Sequence, residues 1–249
     1  MTETRFRWPG GKRAAVSLTF DDARLTQPDI GIPTLDRFGV KGTFYVTPRN
    51  MADRVDAWKA AVANGHDFGN HTLTHPCSAN FRWENAKVLE DMTLDDIETE
   101  LLDASVQIEE MLGVTPTTFA YPCGQTFVGR GEHLKSYIPL VAKHFLVGRG
   151  AFDEIASDPA YCDLAHITSM ELDRAPWETV APLLASLTDE GRWLVTFSHE
   201  IASEGRQATP LDTLERLCAY CVDDKNGIWI NTVAAVGTYV QRTRKGRPA

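Results

Sequence analysis

Hydrophobic and polar positions along this chain fall into blocks with two different periods. Short runs that are apolar almost throughout recur at residues 14–20, 42–46, 66–68, 117–120, 144–147, 193–197 and 227–230. Their length and near-continuous apolar character predict strands buried on both faces. Between most of them lie stretches with helical spacing, at residues 29–38, 55–64, 93–112, 181–187, 210–221 and 232–242. The clearest is TLDDIETELLDASVQIEEMLG. Thr93 is its cap, Asp96 sits three residues on, Ile97, Leu101, Val106, Ile108 and Leu112 form an apolar stripe, and Gly113 stops it. Strands alternating with helices predict parallel strands, arranged as a barrel or as a doubly wound sheet. Both place active sites at the C-terminal ends of the strands. No repeat or low-complexity linker interrupts the pattern, so residues 1–249 read as one domain.

The polar residues that follow these strands carry the candidate chemistry. SLTFDD ends the first strand in two adjacent carboxylates, Asp21 and Asp22. One would serve as a helix cap; two repel each other unless a cation or a shared proton offsets the repulsion. GNHTLTHP follows the third strand. His71 and His75 are four apart, so a short helical turn would aim both imidazoles one way, and Pro76 rules out a long helix through them. Two loop histidines that cap backbone would look the same. With a carboxylate from another strand end they make a facial metal set with open positions, used by zinc hydrolases and ferrous oxygenases. TFAYPCGQ is a strand followed by a tight loop able to point a backbone N–H at an oxyanion. WLVTFSHE ends in His199.

The totals narrow the classes. The chain is 43% hydrophobic, enough for a full core, and its net charge is -9. No basic stripe suggests a nucleic-acid partner, and no apolar run has the length of a membrane span. The basic cluster Arg242, Arg244, Lys245 and Arg247 reads as a solvated helix end. The start MTETRFRWPGGKR lacks the apolar segment of a secretion signal, and five cysteines without scaffold spacing suit a reducing, cytoplasmic setting. Cys218 and Cys221 form C-x-x-C within an amphipathic helix and read as two small core residues. Cys77 and Cys123 lie in the candidate site loops, where core or loop roles are favoured over metal ligation. Trp177 and Phe127 read equally as sugar platforms or as core. His66, His133, His144 and His166 have no partner visible in the sequence.

Taken together, TFDD, HTLTHP, FAYPCG and FSHE resemble the four ordered motifs of the polysaccharide deacetylase family, the NodB-type carbohydrate esterases, over residues 12–240. The resemblance implies a distorted (β/α)7 barrel with one divalent metal, usually Zn2+, at the C-terminal face. It implies that Asp22, His71 and His75 hold the metal, that Asp21 is the general base and His199 the general acid, and that the backbone N–H of Cys123 completes an oxyanion hole. The substrate would be an acetylated glycan or amino sugar. The two carboxylates of TFDD would then do different work, one held by the metal and one taking a proton from water.

Two positions depart from the family pattern. Ala120 stands where many members carry an arginine that pairs with the base. Pro176 precedes Trp177 where many carry an aspartate that orients the acid; Asp173 and Arg174 are the nearby residues available to substitute. These departures keep an O-acetyl esterase of the xylan type, and a carbohydrate-binding barrel without catalysis, as alternatives to N-deacetylation. An iron oxygenase is disfavoured, because Leu73 stands where its H-x-D/E carboxylate would be.

Overall fold

A computed structural model of the chain describes residues 6–81 and 87–245. The first five residues and Arg247 of the basic cluster lie outside them. Seven parallel strands form the sheet: β1 (Ala14–Asp21), β2 (Thr43–Val46), β3 (Asp67–Asn70), β4 (Thr118–Ala120), β5 (Val147–Arg149), β6 (Met170–Glu171) and β7 (Trp193–Ser198). Their order is β5-β4-β3-β2-β1-β7-β6, and an eighth strand, β8 (Ile228–Ile230), pairs with the start of β1. The open ends of this order meet. Ile167, just before β6, bridges to Arg149, with Gly150 N and Ile167 N each donating a 2.8 Å bond across the gap. The sheet is thereby curled into a distorted (β/α)7 barrel.

Period-two alternation assigns the two faces of β1. Val16, Leu18 and Phe20 join the large apolar cluster against the surrounding helices, with Leu35, Phe44, Trp58, Leu184 and Leu217. Ala15, Ser17, Thr19 and Asp21 occupy the other face. Trp193 donates from Nε1 to Ser17 Oγ, and Thr19 Oγ1 donates to the Thr196 carbonyl. A second cluster around Trp8, Val147, Trp193 and Val236 lies at the opposite end of the barrel from Asp21.

The surrounding helices are α1 (Ile32–Arg37), α2 (Val55–Ala63), α3 (Leu94–Leu112), α4 (Ile138–His144), α5 (Trp177–Glu190), α6 (Leu211–Val222) and α7 (Val233–Lys245). The α3 boundaries follow their sequence signals. Thr93 and Asp96 form a reciprocal capping box, and Gly113 ends the helix with φ 74°. Val106 is the exception in the stripe: it is 56% exposed, because five residues after Leu101 it has rotated off the buried face. Residues 144–147 are only partly strand. α4, which the apolar pattern does not distinguish from a strand, runs through His144, and β5 starts at Val147. β6 is two residues long, too short for any periodicity to register. No helix among the described residues is long and apolar enough to cross a membrane.

Candidate active site

The C-terminal ends of the strands surround a cavity of about 540 Å3 lined by Asp21, Asp22, His71, His75, Cys123 and His199. All six candidate residues are therefore brought together from β1, β3, β4 and β7. Asp21 is the last residue of β1 and is 4% exposed. The chain then turns through left-handed backbone at Asp22 (φ 72°) and Ala23 (φ 51°), which presents both adjacent carboxylates to the cavity. The turn is held by Asn50 Nδ2 donating to the Asp22 carbonyl at 2.9 Å. Buried Gln27 donates to the Asp21 and His199 carbonyls and so ties β1 to β7.

His71 and His75 converge without a helical turn. The segment between them bends through Thr72 (φ 65°) and reaches His75 at φ 54°, and His75 N donates to Thr72 Oγ1. Left-handed backbone at those positions is incompatible with the helical turn expected from the spacing. His71 Nδ1 lies 2.8 Å from the Ala120 carbonyl, an acceptor that fixes the proton on Nδ1 and leaves the Nε2 lone pair free. His71 Nε2 and His75 Nε2 stand 3.7 and 3.5 Å from Asp22 Oδ1. Burial pushes the His71 pKa down to about 4, so its imidazole is neutral at physiological pH. Burial also opposes the charge of Asp22, but His71, His75, His199 and Arg24 outweigh it and hold the carboxyl below its usual range. A carboxylate oxygen and two imidazole nitrogens thus lie within 4.8 Å of one another, a donor set that fits a small divalent cation.

Each of the other two titratable groups has its own buried partner. Arg149, on β5, is fully buried and places Nη2 2.7 and 2.5 Å from the two oxygens of Asp21. Its guanidinium lies between the rings of Tyr45 and Phe197, about 5 Å from each. The register explains the departure at Ala120. Ala120 of β4 and Arg149 of β5 are direct parallel neighbours, so the arginine is supplied from one strand over. The sequence did hold one signal, a charge at the end of an otherwise apolar strand, but nothing local says what it faces. His199 Nδ1 is 2.6 Å from Asp173 Oδ2, and its backbone N–H donates to the other oxygen. Burial alone would lower the pKa of His199; the Asp173 hydrogen bond, with Asp21 and Asp22 nearby, overrides it and raises the pKa above its ordinary value. Of the two suggested substitutes, Asp173 faces His199. Arg174 is exposed, its backbone bonding Ala208, and the partner of Asp21 is Arg149 instead.

Several other expectations are revised. Cys77 and Cys123 are joined as a disulfide, which their separation of 46 residues does not signal. Neither Trp177 nor Phe127 lines the cavity. Trp177 packs on Tyr220 and Arg216, and Phe127 lies in a small antiparallel pair with Ser136; the aromatic residues at the cavity are Phe81, Tyr121, Phe152 and Phe197. His66 pairs with Asp36 and His144 with Glu98, both away from the cavity; His166 packs edge-on against Tyr121. Cys218 and Cys221, by contrast, are buried in α6 as core residues, as expected.

Comparison with known proteins bears on the fold and the family. Residues 6–134 match the sequence model of the family described as polysaccharide deacetylase. Chitin deacetylase 1 of Cryptococcus neoformans is 29% identical over 107 residues, 43% of this chain and 20% of that protein. The matched stretches span only 5% to 26% of the first curated relatives. Among solved structures, a putative polysaccharide deacetylase from Mycobacterium smegmatis aligns over 98% of this chain and 95% of its own, with a TM-score of 0.68 and 19% identity. A family 4 acetyl xylan esterase from Clostridium thermocellum, in complex with cobalt, aligns over 94% and 93% with a TM-score of 0.59 and 20% identity. These likenesses carry the fold; the sequence match over more than half of the chain carries the family, and this chain belongs to the polysaccharide deacetylases.

Proposed function

We propose that this chain removes acetyl groups from an N-acetylated amino sugar or glycan. Asp22, His71 and His75 would hold one divalent cation, Zn2+ by the chemistry of the donors. Such a cation supplies Lewis acidity toward the acetyl carbonyl and acidifies water. The remaining chemistry belongs to the chain. Asp21, held in one orientation by Arg149, takes a proton from the attacking water. His199, held by Asp173 through Nδ1, gives the proton on Nε2 to the leaving nitrogen. The backbone N–H of Cys123 donates to the oxygen on which negative charge develops.

The observation that carries this reading is the pair of buried contacts, Arg149 on Asp21 and Asp173 on His199. The reading as a binding barrel without catalysis rested on the absence of those two charges, and both are supplied from other positions. The same pairing favours amide over ester substrates. An amine leaves only after protonation, whereas an alkoxide departs more readily, and a His199 with raised proton affinity is equipped for the harder case. The test is acetate release from matched N-acetyl and O-acetyl oligosaccharides by zinc-reconstituted protein. Release from the N-acetyl series at the higher kcat/KM is expected. No release from any member of the panel would defeat the proposal, and release from O-acetyl sugars alone would move the chain to the esterase reading.

A further inference from the structure

The disulfide between Cys77 and Cys123 joins two of the four loops that carry the site, at chemically sensitive points. Cys77 follows the loop of His71 and His75, and its Sγ lies 3.6 Å from His75 Nδ1. Cys123 is the residue whose N–H faces the reaction in the reading above, and it sits in left-handed backbone, φ 54° and ψ 19°. A residue with a Cβ adopts that conformation at a cost of roughly 1–2 kcal/mol, so something must hold it there. The Cys77 side is a firm anchor. Cys77 is fully buried, bridges to Val88, and its carbonyl accepts from Leu89 N. On the Cys123 side, Gln125 Oε1 accepts from Ser78 N at 2.7 Å, and its carbonyl accepts from Tyr137 Oη at 2.6 Å. Backbone bonds also close the turn, Gly124 N donating to the Tyr121 carbonyl at 2.9 Å and Gln125 N to the Pro122 carbonyl at 3.0 Å, and the sulfur bridge is the one side-chain tie at Cys123 itself.

We propose that Cys77 is a positioning residue of the reaction: its bond to Cys123 holds the oxyanion N–H in place, so deacetylation depends on the oxidation state of this pair. This rests on the deacetylase reading for its consequence, but not for its structural half. Reduction by a trialkylphosphine is balanced as follows. Phosphorus attacks one sulfur and breaks the S–S bond. Water then supplies the oxygen of the phosphine oxide, and its two hydrogens end on the sulfurs of Cys77 and Cys123. Freed of the bridge, residue 123 can relax to right-handed or extended backbone and turn its N–H away. A phosphine is the suitable reductant because it does not compete strongly for the metal as a dithiol would.

Four readouts test this on the zinc-reconstituted chain of 249 residues. Thiol titration in denaturant should find three free cysteines before reduction and five after, matching the free Cys162, Cys218 and Cys221. A non-reducing digest should contain the linked 77–123 peptide, and finding both cysteines alkylated in the native protein would overturn the proposal. On an N-acetyl substrate, reduction should lower kcat at least tenfold, toward the roughly 10²–10³-fold loss of a removed oxyanion donor, with KM little changed. Cys77→Ser should match the reduced protein and ignore the phosphine. Cys77→Ser with Cys123→Gly, which adopts positive φ freely, should recover part of the rate, and a purely structural role of the bridge would not give that recovery. Equal kcat in the oxidised and reduced forms would overturn the proposal. If no substrate is hydrolysed, the deacetylase reading fails alone, and amide exchange decides the structural half. Faster exchange at residues 123–125 after reduction supports it; unchanged exchange sinks it.

Discussion

The two ends of this barrel solve the same problem with different residues. At the ends where helices return to strands, left-handed backbone is given to glycine: Gly65 precedes β3, Gly113 precedes β4, and Gly191 precedes β7. At the opposite ends, beside Gly124, the left-handed positions are held by Asp22, Ala23, Thr72, His75, Cys123, Phe152 and Arg174, each within five residues of the end of a strand. These are all the non-glycine residues with positive φ among the described residues. A side chain at such a position costs stability, and here that cost falls almost entirely on the face that carries the cavity. Buried charge divides in the same way. Asp21 and His199 each face a dedicated partner across the cavity. At the other end the partly buried Asp67 has only Thr43 and backbone N–H groups, and burial lifts its pKa to about 6. One end is built to hold charge, the other to tolerate its loss.

The largest effects should come from breaking the paired charges. Arg149→Met leaves the buried Asp21 without its guanidinium. We expect a loss of roughly 10²–10⁴-fold in kcat/KM for an acetylated sugar, the range for a lost general base, with a fall in stability of about 3 kcal/mol. Ala120→Arg in an Arg149→Ala background tests the register directly. It should restore part of that activity, because the two positions are side by side on adjacent strands. Failure to rescue would mean that the β5 position itself, and not merely a guanidinium beside Asp21, is required.

Asp173→Asn should follow in size. Burial lowers the pKa of His199, and the hydrogen bond to Asp173 is the main effect opposing it. With that gone, His199 loses its proton at lower pH. The alkaline limb of the kcat/KM profile should therefore move down in pH, and kcat should fall on amide substrates more than on esters. An unmoved limb would show that another group titrates there.

At the opposite end, Asp67 makes a prediction about stability alone. Its folded pKa, about 6, lies above its unfolded value, so in that range the unfolded chain has already released the proton that the folded chain keeps. Stability should be greatest below pH 4 as far as this group is concerned and decline between about pH 4 and 6, by on the order of 3 kcal/mol. Asp67→Asn should flatten the decline in denaturant titrations. The smallest effects test the backbone contrast. Gly113→Ala should cost about 1 kcal/mol, whereas Arg174→Gly, at an exposed left-handed position, should gain a few tenths to 1 kcal/mol. The same sign for both would remove the distinction between the ends.

This asymmetry also separates what was legible in the sequence from what was not. Runs of apolar residues and the cap at Thr93 are local signals, and they place most strands and helices to within a few residues, α4 and the two-residue β6 excepted. The proposed ligand triad was legible because its carboxylate and two imidazoles stand in short motifs at strand ends. Arg149 was not, because its role is set by which strand lies beside β4, and strand order is a long-range property. Asp173 was visible as a candidate only because it lies in the loop where the family aspartate is expected. The Cys77–Cys123 bond has no local signature at all: it depends on two loops meeting above the barrel.

The central claim is that Asp22, His71 and His75 hold one metal ion at the charged end. It is tested most directly by elemental analysis of chelator-stripped protein after zinc restoration and removal of unbound metal. The account predicts about one zinc per wild-type chain and loss of most of it in His71→Ala, with Asp67→Asn at the opposite end retaining the wild-type content. Full occupancy in His71→Ala would contradict the assignment.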